Sequence, residues 1–130
     1  MDREFDKVKD FHVAFRCPIA EKPVMLTLNR AEIRSEWMQS EIQEFIDSQS
    51  VYEQADAMID LIYFALGTLV EMGVKPDKIF DIVHEANMSK LFVDGSIGSR
   101  EGDGKIIKPP EWQDPEPEIR EAIDNMSNMG

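Results

Sequence analysis

The stretch EQADAMIDLIYFALG, residues 53–67, passes from acidic to almost wholly apolar, and its reading decides the fold. Asp60 stands at the junction, followed by Leu61, Ile62, Tyr63, Phe64, Ala65 and Leu66. The segment starts amphipathic and becomes apolar nearly all round, which marks a helix whose second half is buried. That helix is expected from about Val51 to Met72. Gly73 is the residue past its end and Pro76 the first-turn proline of the next helix. Gly67 inside the helix costs about 1 kcal/mol relative to Ala, and close helix packing is a reason to carry it.

Working outward, a second helix is expected before this one, from an N-cap at Asn29 to about Ser48. Its apolar stripe is Ile33, Trp37, Met38, Ile42, Phe45 and Ile46, flanked by Glu41 and Glu44. Residues 4–15 place Phe5, Val8, Phe11 and Phe15 at helical spacing, and CPIAEKPV then reads as an extended connection. A fourth helix is expected over 76–91, with Ile79, Phe80, Ile82, Val83 and Ala86 inward. The remainder, 93–130, is rich in Gly, Pro and charge and reads as a long arm ending in a short, frayed helix. Nothing reads as an alternating strand. The fold class is therefore all-α: an antiparallel bundle of about four core helices with a C-terminal arm, one domain over 1–130.

Composition narrows the function. A net charge of −12 repels phosphate polymers, so a nucleic-acid polymer is not an expected partner. It leaves open a small phosphate ligand bridged through a divalent metal. The single cysteine, Cys17, allows no internal disulfide and suits a reducing cytoplasm. The start of the chain lacks a signal-peptide core. The longest apolar run is too short to span a bilayer, so no membrane partner is expected.

Glu41 and Glu44, three apart, share one helix face; Glu53, Asp56 and Asp60, three and four apart, share another. The short break between the two helices makes them antiparallel neighbours and can bring the acidic patches together. For Glu53 the plain explanation is a helix N-terminus that favours acids. Asp60 lies beyond the first turn among apolar neighbours, where an unpaired carboxylate is desolvated or keeps its proton. A bound divalent cation removes that conflict, since Mg²⁺ is held by a few carboxylates plus substrate phosphates. Asp81-x-x-His84 also has one-turn spacing, but two histidines in the chain do not suit a di-iron bundle. No hydrolase triad, P-loop or dinucleotide signature is present.

These segments resemble the all-α nucleoside triphosphate pyrophosphohydrolase superfamily, which includes MazG-like enzymes, dimeric dUTPases and phosphoribosyl-ATP pyrophosphohydrolases. VKDFHVAFRCPI looks like an opening segment of the phosphoribosyl-ATP pyrophosphohydrolase-like group. IRSEWMQSEIQEF and ADAMIDLIYFALGTLVEMGV look like its two metal helices, and VHEANMSKL and DGKIIKPP like its later signatures. The resemblance implies cleavage between the α- and β-phosphates of a nucleoside triphosphate, with Mg²⁺ as cofactor and Mn²⁺ as a substitute. It implies Glu41, Glu44, Asp56 and Asp60 as metal ligands, with Glu53 as an outer candidate. Glu41, and after it Glu44, is the candidate for positioning the attacking water. Ser40 and Ala57 stand where the superfamily often has glutamate, and Asp56 is taken as the replacement for the latter. Asn87, Lys90, Lys105 and Lys108 are the candidates for nucleotide and phosphate contacts, with Arg100 behind them. A homodimer or homotetramer is implied as well. The alternative reading is a non-catalytic nucleotide- or metal-binding oligomerisation module of the same fold.

Overall fold

The computed structural model describes residues 1–92 and 94–128; expectations placed on Val93, Met129 and Gly130 lie outside the described residues. Five helices follow one another: α1 (Asp2–Phe15), α2 (Leu28–Asp47), α3 (Val51–Met72), α4 (Asp77–Met88) and α5 (Glu116–Asn128). Between α4 and α5 lies a small antiparallel ladder, β1 (Gly98–Ser99) with β2 (Ile106–Ile107). The all-α reading holds, and this two-residue ladder is the one strand pairing among the described residues.

Cap chemistry sets the helix ends. Thr27, not Asn29, is the N-cap of α2: its hydroxyl accepts the Arg30 N–H at 3.2 Å. Ser50 opens α3 by accepting the Glu53 N–H at 3.2 Å, and the Glu53 carboxylate accepts the Gln49 N–H at 3.1 Å. This is close to a capping box, with the glutamate reaching one residue further back. Gly73 closes α3 in the left-handed conformation, φ 70°, and a Cβ there would lie 2.5 Å from the Lys22 carbonyl oxygen. Pro76 is the N-cap of α4 rather than a first-turn residue. The N-termini of α1 and α4 hold each other: Asp2 N–H donates to Asp77 at 2.7 Å, and Asp77 N–H to Asp2 at 3.0 Å.

The core lies between α1 and α3, where Phe5 and Val8 meet Leu66 and Val70, with Ile19 and Leu69 packed against them. α2 lies antiparallel along α3, and the single buried residue of α2 is Arg34, only 4% exposed. Its apolar stripe is not covered as expected: Ile42 and Ile46 are exposed. α4 turns off α3 at 119°. The inward face assigned to α4 needs correction, because no residue of α4 is buried and Phe80 is 57% exposed. The periodicity identified an apolar face correctly, but this chain alone does not cover it. His84 is likewise exposed. The second half of α3 is buried at Leu66, Gly67, Val70 and Glu71 but open at Ile62 and Tyr63.

The arm is more ordered than its composition suggests. α5 is a formed helix with Ala122 buried, and it packs on α4. Trp112 donates its indole N–H to the Ala86 carbonyl at 2.7 Å, which ties the arm to α4.

Candidate metal centre

α2 and α3 meet through a buried polar network. Arg30 grips Glu71 with two parallel bonds, Nε to Oε1 at 2.8 Å and Nη2 to Oε2 at 2.9 Å. Arg34 donates Nη1 to Glu71, Nε to the Thr68 hydroxyl at 2.8 Å and Nη2 to the Phe64 carbonyl at 3.0 Å. Burial is the largest influence on the Glu71 carboxyl and pushes it up. The Arg30 hydrogen bond and the charges of Arg34 and Arg30 outweigh burial, so the group titrates below the ordinary carboxylate range. Gly67 makes room for this network: a Cβ there would lie 2.6 Å from Arg34 Nη2 and 3.0 Å from His12 Nε2. His12 is buried and donates Nδ1–H to the Pro18 carbonyl at 2.8 Å. The close packing expected at Gly67 is thus the passage of a guanidinium and an imidazole. Neither arginine nor Glu71 was singled out by sequence reasoning. The available signal was a glutamate at the apolar end of α3, opposite two arginines in an antiparallel pairing.

The same register continues two turns on. Trp37 lies against Phe64, ring centroids 5.8 Å apart, with the Arg30 and Arg34 guanidinium carbons 5.1 and 5.0 Å from its ring. One turn further, Glu41 and Glu44 of α2 meet Asp60 of α3, and one carboxylate oxygen from each lies within 4.8 Å of the others. Glu41 Oε2 is shut off from solvent and has no hydrogen-bond partner among the described residues. The Glu41 carboxyl is pushed up to about 7, first by the hydrogen bond its proton makes to Glu44, then by burial and by the charges of Glu44, Asp60 and Asp56. That bond exists only while the pair holds a proton; ionised, the buried oxygen is left with neighbours of its own charge. Burial raises the Asp60 carboxyl too, and Asp56 and Glu44 add to it.

The donor set fits a hard divalent cation. Hard cations take oxygen ligands, and Mg²⁺ is held by a few carboxylates, the donor type gathered here within 4.8 Å. Asp56 stands outside the trio and is exposed, yet near enough to raise both carboxyls. It lines an adjacent cavity of about 300 Å³ with Glu44, Asp47, Ser48, Glu53 and Ala57. Glu53 is occupied in the helix cap. Ser40 donates its hydroxyl to the Trp37 carbonyl at 2.7 Å, and Ala57 is buried.

The expected phosphate contacts do not line this cavity. Lys90 Nζ and Lys108 Nζ sit 5.5 and 4.9 Å from the Trp112 ring centroid. Asn87 and Lys105 are exposed, and Arg100 is paired with Asp103. No cation lines the cavity beside the carboxylates among the described residues.

Comparison with known proteins adds a family. No curated protein matches the chain. The crystal structure of a putative NTP pyrophosphohydrolase from Exiguobacterium sp. 255-15 is similar at 29% identity and a TM-score of 0.53. The match covers 97% of this chain and 96% of that one. The family model described as phosphoribosyl-ATP pyrophosphohydrolase matches residues 8–87, which hold most of α1, all of α2 and α3, and the carboxylate trio. The chain belongs to the phosphoribosyl-ATP pyrophosphohydrolase family.

Proposed function

We propose that the protein is a Mg²⁺-dependent nucleoside triphosphate pyrophosphohydrolase that cleaves the α–β phosphoanhydride bond. The products are a nucleoside monophosphate and pyrophosphate. The observation that carries this reading is the convergence of Glu41, Glu44 and Asp60, with a shielded carboxylate oxygen that, when ionised, has no hydrogen-bond partner among the described residues. Family membership supplies the reaction class.

Glu41, Glu44 and Asp60 would hold the cation, with Asp56 as the fourth carboxylate and Glu53 in the outer ring. Mg²⁺, or Mn²⁺ in its place, would supply neutralisation of the phosphate oxygens and of the leaving group. Glu41 positions the attacking water in line with the leaving pyrophosphate and accepts its proton, with Glu44 sharing that proton. Lys90, Lys105 and Lys108 are the proposed partners of the remaining phosphate charge and Asn87 of the nucleoside, although none of them lines the cavity beside the carboxylates within this one chain.

The working form is a homodimer or homotetramer. Ile62 and Ala65 of α3 and Ile79, Phe80 and Val83 of α4 line an apolar groove of about 290 Å³, which suits a second copy better than water. No single helix among the described residues is long and apolar enough to cross a membrane. The lone Cys17 fits work in a reducing cytoplasm.

The test is pyrophosphate release from the full chain with Mg²⁺ and a panel of ribo- and deoxyribonucleoside triphosphates and phosphoribosyl-ATP. Release that stops with a chelator and with Asp60→Asn is the expected result. No release from any substrate, with wild type indistinguishable from Asp60→Asn, overturns the assignment.

A further inference from the structure

We propose that Arg34 is a positioning residue for the carboxylate trio: its guanidinium sets the register in which α2 presents Glu41 to Asp60. The inference rests on the metal-dependent reading above. Arg34 precedes Glu41 by seven residues, two turns along the same face of α2. Its acceptors on α3 are Phe64 O, Thr68 Oγ1 and Glu71, and Phe64 follows Asp60 by one turn. One side chain therefore fixes α3 at three points, on the stretch of helix adjoining the carboxylates. A slip of one residue moves a helix about 1.5 Å and turns its side chains by about 100°. Asp60 would then leave Glu41. Directional bonds forbid that slip, whereas apolar contacts tolerate it.

Two further features support a positioning role over simple cohesion. Arg34 is the one side chain of α2 in the fully buried class, while the apolar residues of this helix, Trp37 among them, stay partly exposed. α3 also omits a side chain at Gly67, where the guanidinium passes. A buried ion pair is a poor source of stability, because desolvation offsets its attraction, while a register role is its best-attested use.

The test is the Mg²⁺ midpoint of the full chain, measured by titration calorimetry on wild type, Arg34→Met/Glu71→Leu and Thr68→Val. The double replacement removes two of the three charges of the network and leaves Arg30, 30% exposed, without its carboxylate. It is expected to melt somewhat lower than wild type but cooperatively, with the same helical signal and solution mass, while the Mg²⁺ midpoint rises at least about tenfold. Thr68→Val removes the Nε acceptor, together with the hydroxyl's own bond to the Phe64 carbonyl, and should raise the midpoint about tenfold, the scale of one hydrogen bond from a charged donor. A purely structural role lowers the melting temperatures with and without Mg²⁺ together and leaves the midpoint unchanged. An unchanged midpoint in either folded variant overturns the inference. Should the double variant fail to melt cooperatively, Thr68→Val decides by the same criterion. A wild type that binds no Mg²⁺ overturns the metal reading itself, whereas unchanged variants beside a binding wild type overturn only the positioning role.

Discussion

Glu41 and Asp60 sit on different helices, and their oxygens approach to within 4.8 Å with Glu44 beside them. The approach costs stability when the site is empty and ionised. Asp60→Asn should therefore raise the melting temperature of the Mg²⁺-free protein by a few degrees. The same variant should lower turnover by at least about a hundredfold, the scale of losing a few kcal/mol of charge stabilisation. Calorimetric melts with a chelator, beside pyrophosphate assays, check both directions.

The pH dependence of the Mg²⁺-free protein follows from two groups of opposite sign. Glu41 titrates near 7 when folded, against about 4.3 for a free glutamate. Between those values the folded state binds more protons than the unfolded one, so stability falls as pH rises through the window. The raised Asp60 carboxyl acts in the same direction. Glu71, held below the ordinary range, contributes stability above that range and loses it as pH falls through its folded value. A melting maximum near pH 5 is expected, and saturating Mg²⁺ should flatten the decline toward pH 8. Scanning calorimetry from pH 4 to 8, with and without Mg²⁺, measures it.

Gly67→Ala tests the passage beneath Arg34. Helix propensity alone favours the change by about 1 kcal/mol. The new Cβ meets the guanidinium 2.6 Å away, and overpacking of this kind costs about 1–3 kcal/mol. Net destabilisation is expected in urea unfolding, opposite to the propensity scale.

Glu53→Ala separates a cap from a ligand. Loss of the bond to Gln49 N–H should destabilise α3 by about 0.3–1.5 kcal/mol. The Mg²⁺ midpoint should stay within about twofold of wild type, well short of the effect of losing a ligand or its support. Titration calorimetry reads that midpoint, and chemical unfolding reads the stability.

Phe80→Asp tests the assembly. The ring is 57% exposed on a helix with no buried residue. A charge in an apolar contact between copies should shift the solution mass from oligomer to monomer, read by light scattering. The helical signal should be retained, because the substituted ring is not part of the core between α1 and α3.

Sequence reading was strongest where local chemistry decides. The Ser48–Ser50 break, the stop at Gly73 and the face shared by Glu41 and Glu44 all depend on near neighbours. The start of α2 differed because Thr27 and Asn29 are both capable caps, and only the backbone entry angle chooses between them. The cover over α4 was not legible, since a period of 3.6 identifies an apolar face without naming what lies on it. The Arg30–Arg34–Glu71 network was hidden because charged residues on a helix resemble a solvated face until the partner helix is aligned. The offset that sets Arg30 across from Glu71 also sets Glu41 across from Asp60.

The two tryptophans stand at separate stations. Trp37 lies one turn from Glu41, under two guanidinium groups, and Trp112 hooks the arm onto α4. Their indoles therefore make independent optical reporters. With Trp112→Phe, the emission of Trp37 reports on the carboxylate end of α2; with Trp37→Phe, that of Trp112 reports on the contact between the arm and α4. Stopped flow then reads each station separately without any attached dye.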